Sequence, residues 1–193
     1  MQHLRGDVGV QLRSSRMRSL RDLFAKLPAD GVLRHALRQF NLAPGRLGKA
    51  VSVRELAESL GLDVYQVELP KGMAGRLVSD PFSDSGYAIE VNRQHSVLSR
   101  RYTVLHEIGH FLLHADVTDP LADAMLLSRS DDEFYFNQSQ EWEANNVADV
   151  LLFGDGALAA AVSLHRGDVK KLAKYFGVTE NMIRVAMRKF ECS

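Results

Sequence analysis

The sequence lacks most features that would take it out of the ordinary globular class. It has a single cysteine, Cys192, in 193 residues, so no disulfide can form within the chain and a reducing compartment is expected. With 14 Gly and 5 Pro it is neither collagen-like nor linker-rich. It carries no formal net charge, and 46% of its residues are hydrophobic, which excludes a disordered polyelectrolyte. No uncharged run approaches the roughly 20 residues of a membrane span. Residues 1–21 are studded with arginine and lack the apolar run of a signal peptide. A cytoplasmic protein with no membrane partner is therefore expected.

The zero net charge hides an asymmetry. Residues 1–54 carry 11 basic and 3 acidic side chains, residues 55–165 carry 6 and 18, and residues 166–193 carry 7 and 3. Basic ends around an acidic middle fit either packing of the ends on the middle or contact with nucleic acid, and the first is favoured.

The hydrophobic periodicity predicts an α+β chain. Helical spacing recurs over 17–27 and 32–40, and Pro44-Gly45 is expected to break it. Ser52 and Glu55 form a capping-box pattern that opens a helix closed by Gly61. Strand patterns follow at 62–69, 74–79 and 86–91, expected to form a small antiparallel sheet. A long helix is expected over 96–114, loop with a short helix near 121–127 over 115–138, and helices at 139–153, 168–176 and 179–190. Three parts are expected: a basic helical extension (1–50), a core (51–165) and C-terminal helices packed on it (166–193).

Within the long helix stands His106-Glu107-Ile108-Gly109-His110. Histidines at i and i+4 lie on one helical face a turn apart, so both can bind one metal ion. Glu107 is placed to act as general base on a water that Zn²⁺ has acidified to a pKa of about 7. A catalytic zinc normally takes a third protein ligand. Leu113 and Asp116 stand where one zincin class needs Gly and His, so that class is disfavoured. A glutamate from the next strong helix is the alternative, and Glu141 and Glu143 both qualify. Glu141 is preferred: it shares a side with Asn145 at i+4, positioned to hold a ligating imidazole, while Glu143 points about 200° away. His114, one turn after His110, is read as a surface residue or a supporting donor, the first favoured. Tyr87, Tyr102, Tyr135 and His165 are candidates to stabilise an oxyanion, though a structural role is favoured for each, and Arg100 and Arg101 either bind a substrate carboxylate or pair with the acidic middle.

Residues 101–114, Arg-Tyr-Thr-Val-Leu-His-Glu-Ile-Gly-His-Phe-Leu-Leu-His, and 141–152, Glu-Trp-Glu-Ala-Asn-Asn-Val-Ala-Asp-Val-Leu-Leu, together resemble the ImmA/IrrE zinc metallopeptidases. The likeness runs over roughly 50–190. Phe153-Gly154 replace the Met-Pro that often follows in that family, and residues 1–50 have no counterpart. The resemblance implies a zincin-like fold, zinc held by His106, His110 and Glu141, and Glu107 as base. It also implies cleavage of a partner protein, typically a helix-turn-helix repressor, which relieves repression under stress or during mobile-element transfer.

Three other functions compete. Residues 170–189 have the spacing of a helix-turn-helix, with Arg184, Arg188 and Lys189 available to phosphates, so a DNA-binding regulator is one. A degenerate peptidase that holds metal without cleaving is the second. A toxin-like metallohydrolase with a different substrate is the third.

Overall fold

The structure, a computed structural model, describes residues 17–47, 52–116 and 137–190. The expected short helix at 121–127 and Tyr135 lie outside these residues. The elements are α1 (Leu20–Phe24), α2 (Gly31–Leu47), α3 (Val53–Ser59), β1 (Asp63–Val67), β2 (Gly75–Ser79), β3 (Tyr87–Asn92), α4 (Val97–His114), α5 (Gln138–Phe153), α6 (Ala157–His165), α7 (Val169–Phe176) and α8 (Glu180–Lys189). The α+β expectation holds.

Local chemistry fixes most boundaries. Ser19 caps α1 in a complete capping box with Asp22. Ser52, Ser96, Asn137, Asp168 and Thr179 each accept a backbone N–H at the start of a helix. Gly177 closes α7 in the left-handed region that glycine tolerates, with φ 64°. Helix α2 runs through Pro44 and Gly45 to Leu47 instead of ending there. Pro44 sits in the last turn of this 17-residue helix, so the bond it removes costs only the C-terminal end. Helix α6 had no clear signature because its nine residues are almost uniformly apolar and carry no periodic stripe.

The sheet corrects the antiparallel expectation. Its order is β1-β3-β2, with β2 antiparallel to β3 and β1 parallel to it. The chain leaves β1, crosses to the far edge, and returns through the middle. Alternation in sequence reports which face a residue occupies, not the direction of its neighbour strand. Central β3 is buried almost throughout. The sheet lies on α4, and α4 packs along α5.

A single cluster of buried apolar residues joins all regions. Leu23 and Leu37 from the N-terminal helices, Ile89 from β3, Ile108 from α4, Leu151 from α5 and Leu172 from α7 all belong to it. Asn41, itself buried, donates to the carbonyls of Val150 and Leu151 near the end of α5. The Phe153-Gly154 departure has a structural role. Phe153 meets the rings of Phe176 and Phe190 at 5.1 and 6.2 Å. Gly154 caps α5 where a Cβ would lie 2.6 Å from the Val150 carbonyl oxygen. Among the described residues no single helix is long and apolar enough to cross a membrane.

Candidate metal centre

The close crossing of α4 and α5 creates the centre. It is made possible by Gly109, where a Cβ would lie 2.8 Å from both the Cα and the carbonyl oxygen of Ala144. With backbone against backbone, the first turns of α5 reach the His106–His110 face of α4. Glu141 then projects between the two imidazoles. Its Oε2 is 3.1 Å from His106 Nε2 and its Oε1 is 3.1 Å from His110 Nε2. The two imidazole nitrogens are 3.1 Å apart.

This triangle suits a divalent ion. Three donors on one tetrahedral zinc, at about 2.1 Å each, would stand about 3.4 Å from one another, close to the observed spacing. The hydrogen bonding agrees. Asn145 Oδ1, which can only accept, is 3.2 Å from His106 Nδ1, which suits Nδ1–H as the donor and turns Nε2 toward Glu141. Burial, reinforced by neighbouring His106, pushes the pKa of His110 down to about 4, against the pull of the Glu141 carboxylate. A divalent ion between them would be shared by two imidazole nitrogens and a carboxylate that already stand 3.1 Å from one another. His106, His110 and Glu141 are the one group of metal-ligand type found among the described residues.

Glu143 is not part of it. Its Oε1 pairs with Lys26 Nζ at 2.6 Å and its Oε2 lies 3.8 Å from His114 Nε2. Of the two candidate glutamates, Glu141 alone faces the imidazole pair. His114 lies beside His110, with ring centroids 5.5 Å apart and planes tilted by 55°, and its Nε2 faces Glu143 outside the triangle.

Glu107 lines the same cleft beside the two histidines and is 6% exposed. Burial, and secondarily the Glu141 carboxylate, push its pKa up to about 8, while a backbone N–H bond from Leu77 pulls the other way. Beside it, Gly75 leaves a cradle: a Cβ there would lie 2.4 Å from Thr103 Cγ2, 2.8 Å from the Glu90 carbonyl oxygen and 3.6 Å from Glu107 Oε1. Sequence reasoning missed both contributions from β2. Gly75 stands 32 positions before Glu107, and nothing local marks it. The cleft has a volume of about 590 Å³ and is bounded by 72–76 on one side and by Gln140, Glu141 and Asn145 on the other.

The other candidates have structural partners. Tyr87 is fully buried and donates to the Asp116 carbonyl at 2.9 Å. His165 packs edge-on against Tyr175, with ring centroids 5.2 Å apart. Arg100 donates to the Arg93 carbonyl, and Arg101 to the Phe176 carbonyl while lying over the Phe40 ring. Tyr102 does line the cleft, but its hydroxyl lies 3.4 Å from Asn145 Oδ1 and 3.2 Å from Asp149 Oδ1. In the helix-turn-helix-like end, Arg184 pairs with Glu180, and Lys189 turns inward to Asp149.

No curated protein matches the chain. Residues 57–188 match the family model of the IrrE N-terminal-like domain, Peptidase_M78, from α3 through α8. That span contains the sheet, the cleft and the whole donor triangle, and it is more than half of the sequence. The chain therefore belongs to the IrrE N-terminal-like family and is a metallopeptidase of the ImmA/IrrE kind.

Proposed function

We propose that the protein is a zinc-dependent endopeptidase that cuts a regulatory protein at one or a few sites. His106, His110 and Glu141 hold the ion and Glu107 is the general base. The supporting observation is the triangle of two imidazoles and one carboxylate spaced for a single ion, with a buried carboxyl beside it. Zinc in that position supplies Lewis acidity, lowering the pKa of water toward about 7 and polarising a carbonyl.

The chain's own groups do the rest. Glu107 accepts the proton of the attacking water and returns it to the leaving amine. The Leu77 N–H and the Gly75 cradle keep its carboxyl at the mouth of the triangle. Strand β2 is an edge strand that lines the cleft, so an extended substrate segment can pair with it by main-chain hydrogen bonds. That mode reads backbone and tolerates varied side chains, which suits a protein substrate. A helix-turn-helix repressor is the substrate expected from the family resemblance.

Elemental analysis of the purified chain tests the reading. One zinc per chain is expected for the wild type, lost on dialysis against a chelator and absent from His110→Ala. Full metal content in His110→Ala would remove the assignment. Repressor cleavage is tested by incubating the protein with helix-turn-helix proteins from the same genome. A discrete cut that disappears with chelator supports it, and none at all across the set rejects that substrate class.

A further inference from the structure

A line of polar side chains connects α8 to the metal-facing histidine. Lys189 Nζ pairs with Asp149 Oδ2. Asp149 Oδ1 accepts from the Tyr102 hydroxyl at 3.2 Å, and the same hydroxyl lies 3.4 Å from Asn145 Oδ1. Asn145 Oδ1 in turn accepts His106 Nδ1–H at 3.2 Å. Asp149 and Lys189 are largely withdrawn from water, with side chains 14% and 17% exposed. A buried ion pair of this kind is a poor source of stability compared with well-packed apolar residues. Its position, three side chains from a metal-ligand nitrogen, gives it a different use.

We propose that Tyr102, Asp149 and Lys189 are positioning residues: through Asn145 they fix the ring orientation and tautomer of His106, so that the C-terminal helix sets the metal affinity of the site. This rests on the metal reading above.

The phenol has one proton and two acceptors. An unneutralised Asp149 carboxylate would take that proton outright, because a charged acceptor outcompetes an amide oxygen. The Lys189 ammonium offsets the charge and lets the proton be shared with Asn145. That second donor holds the amide with its oxygen toward His106, and the oxygen keeps the imidazole proton on Nδ1 and the lone pair on Nε2. Without Lys189 the amide is free to rotate, and its NH₂ would face a ring nitrogen that must then become the acceptor. That tautomer carries its proton on Nε2, where the ion would bind. The fold does not depend on the relay. Helices α7 and α8 are held separately by the Arg101 bond to the Phe176 carbonyl and by Phe153 against Phe176 and Phe190.

The test uses the full chain as wild type, Tyr102→Phe, Lys189→Met, Lys189→Arg and His110→Ala. Zinc affinity is measured by chelator competition, the site geometry by the visible spectrum of the Co²⁺ form, and the His106 tautomer by ¹⁵N resonances of the metal-free protein. Tyr102→Phe and Lys189→Met are expected to lower zinc affinity about 10- to 100-fold, to shift the Co²⁺ bands, and to move the His106 ring toward mixed tautomers. Lys189→Arg should stay near wild type in all three. Tyr102→Phe removes a single oxygen atom, so its ring resonances decide the matter should Lys189→Met misfold. Wild-type affinity, spectrum and ring resonances in Tyr102→Phe would overturn the relay. If that occurred while His110→Ala lost the metal, the relay alone would fail. Zinc binding in His110→Ala equal to wild type would overturn both the metal reading and the relay.

Discussion

Glu107→Gln is expected to keep its metal and lose cleavage by about 10²- to 10⁴-fold, the usual range for removing a general base. The amide matches the carboxyl in shape, so the Gly75 cradle still fits and the Leu77 N–H still finds an oxygen. Zinc content equal to wild type, measured beside cleavage rate, separates loss of the base from loss of the ion. Retained cleavage would remove Glu107 from the role. The same variant gives a second signal in the metal-free protein. Burial holds the Glu107 pKa at about 8 in the folded chain against the ordinary 4.5 of a glutamate. The folded state therefore binds the extra proton between those limits, and wild-type stability falls as pH rises from about 4.5 to about 8. Glutamine has no such dependence. Metal-free Glu107→Gln should melt close to wild type at pH 5 and above it at pH 9, read by thermal denaturation. A bound cation offsets the burial and should flatten the difference.

Gly109→Ala is expected to be the more damaging change, although it adds one methyl group outside the donor set. The new Cβ would meet backbone atoms of Ala144, which cannot rotate away as a side chain can. Overpacking of this sort costs about 1–3 kcal/mol in well-packed interiors. Relief requires α5 to move off α4, and Glu141, one turn before Ala144, moves with it. The three donors then no longer span one ion. The expected outcome is a lowered melting temperature together with zinc affinity reduced beyond what His114→Ala, a change behind the triangle, produces. A Gly109→Ala protein with unchanged zinc affinity would show that α5 adjusts without carrying Glu141 away.

These two changes also mark what the sequence made readable. His106, Glu107 and His110 fall within five residues of one helix, where position alone dictates which face each occupies. Glu141 and Asn145 were legible for the same reason, being one turn apart on the next strong helix. Both readings use helical geometry, which is local. What was hidden depends on contacts between distant segments. Gly75 and the Leu77 N–H come from an edge strand, and no periodicity links that strand to Glu107. The parallel pairing of β1 with β3 was hidden because strand direction is set by the whole chain path. Lys189 read as a cation available to phosphates, and only the folded chain shows it turned toward Asp149. Helix α6 was missed because uniformly apolar residues have no face to detect.

Lys26 and the N-terminal helices bear on how the protein can be handled. The family match starts at residue 57, which invites trimming the chain to that boundary. A chain cut there would uncover the surface now covered by Leu23 and Leu37, both wholly buried. It would also strip Glu143 of its ammonium partner and leave the Val150 and Leu151 carbonyls without the Asn41 amide. Soluble expression should therefore track the presence of α1 and α2, and a minimal catalytic fragment has to begin well before the homology does.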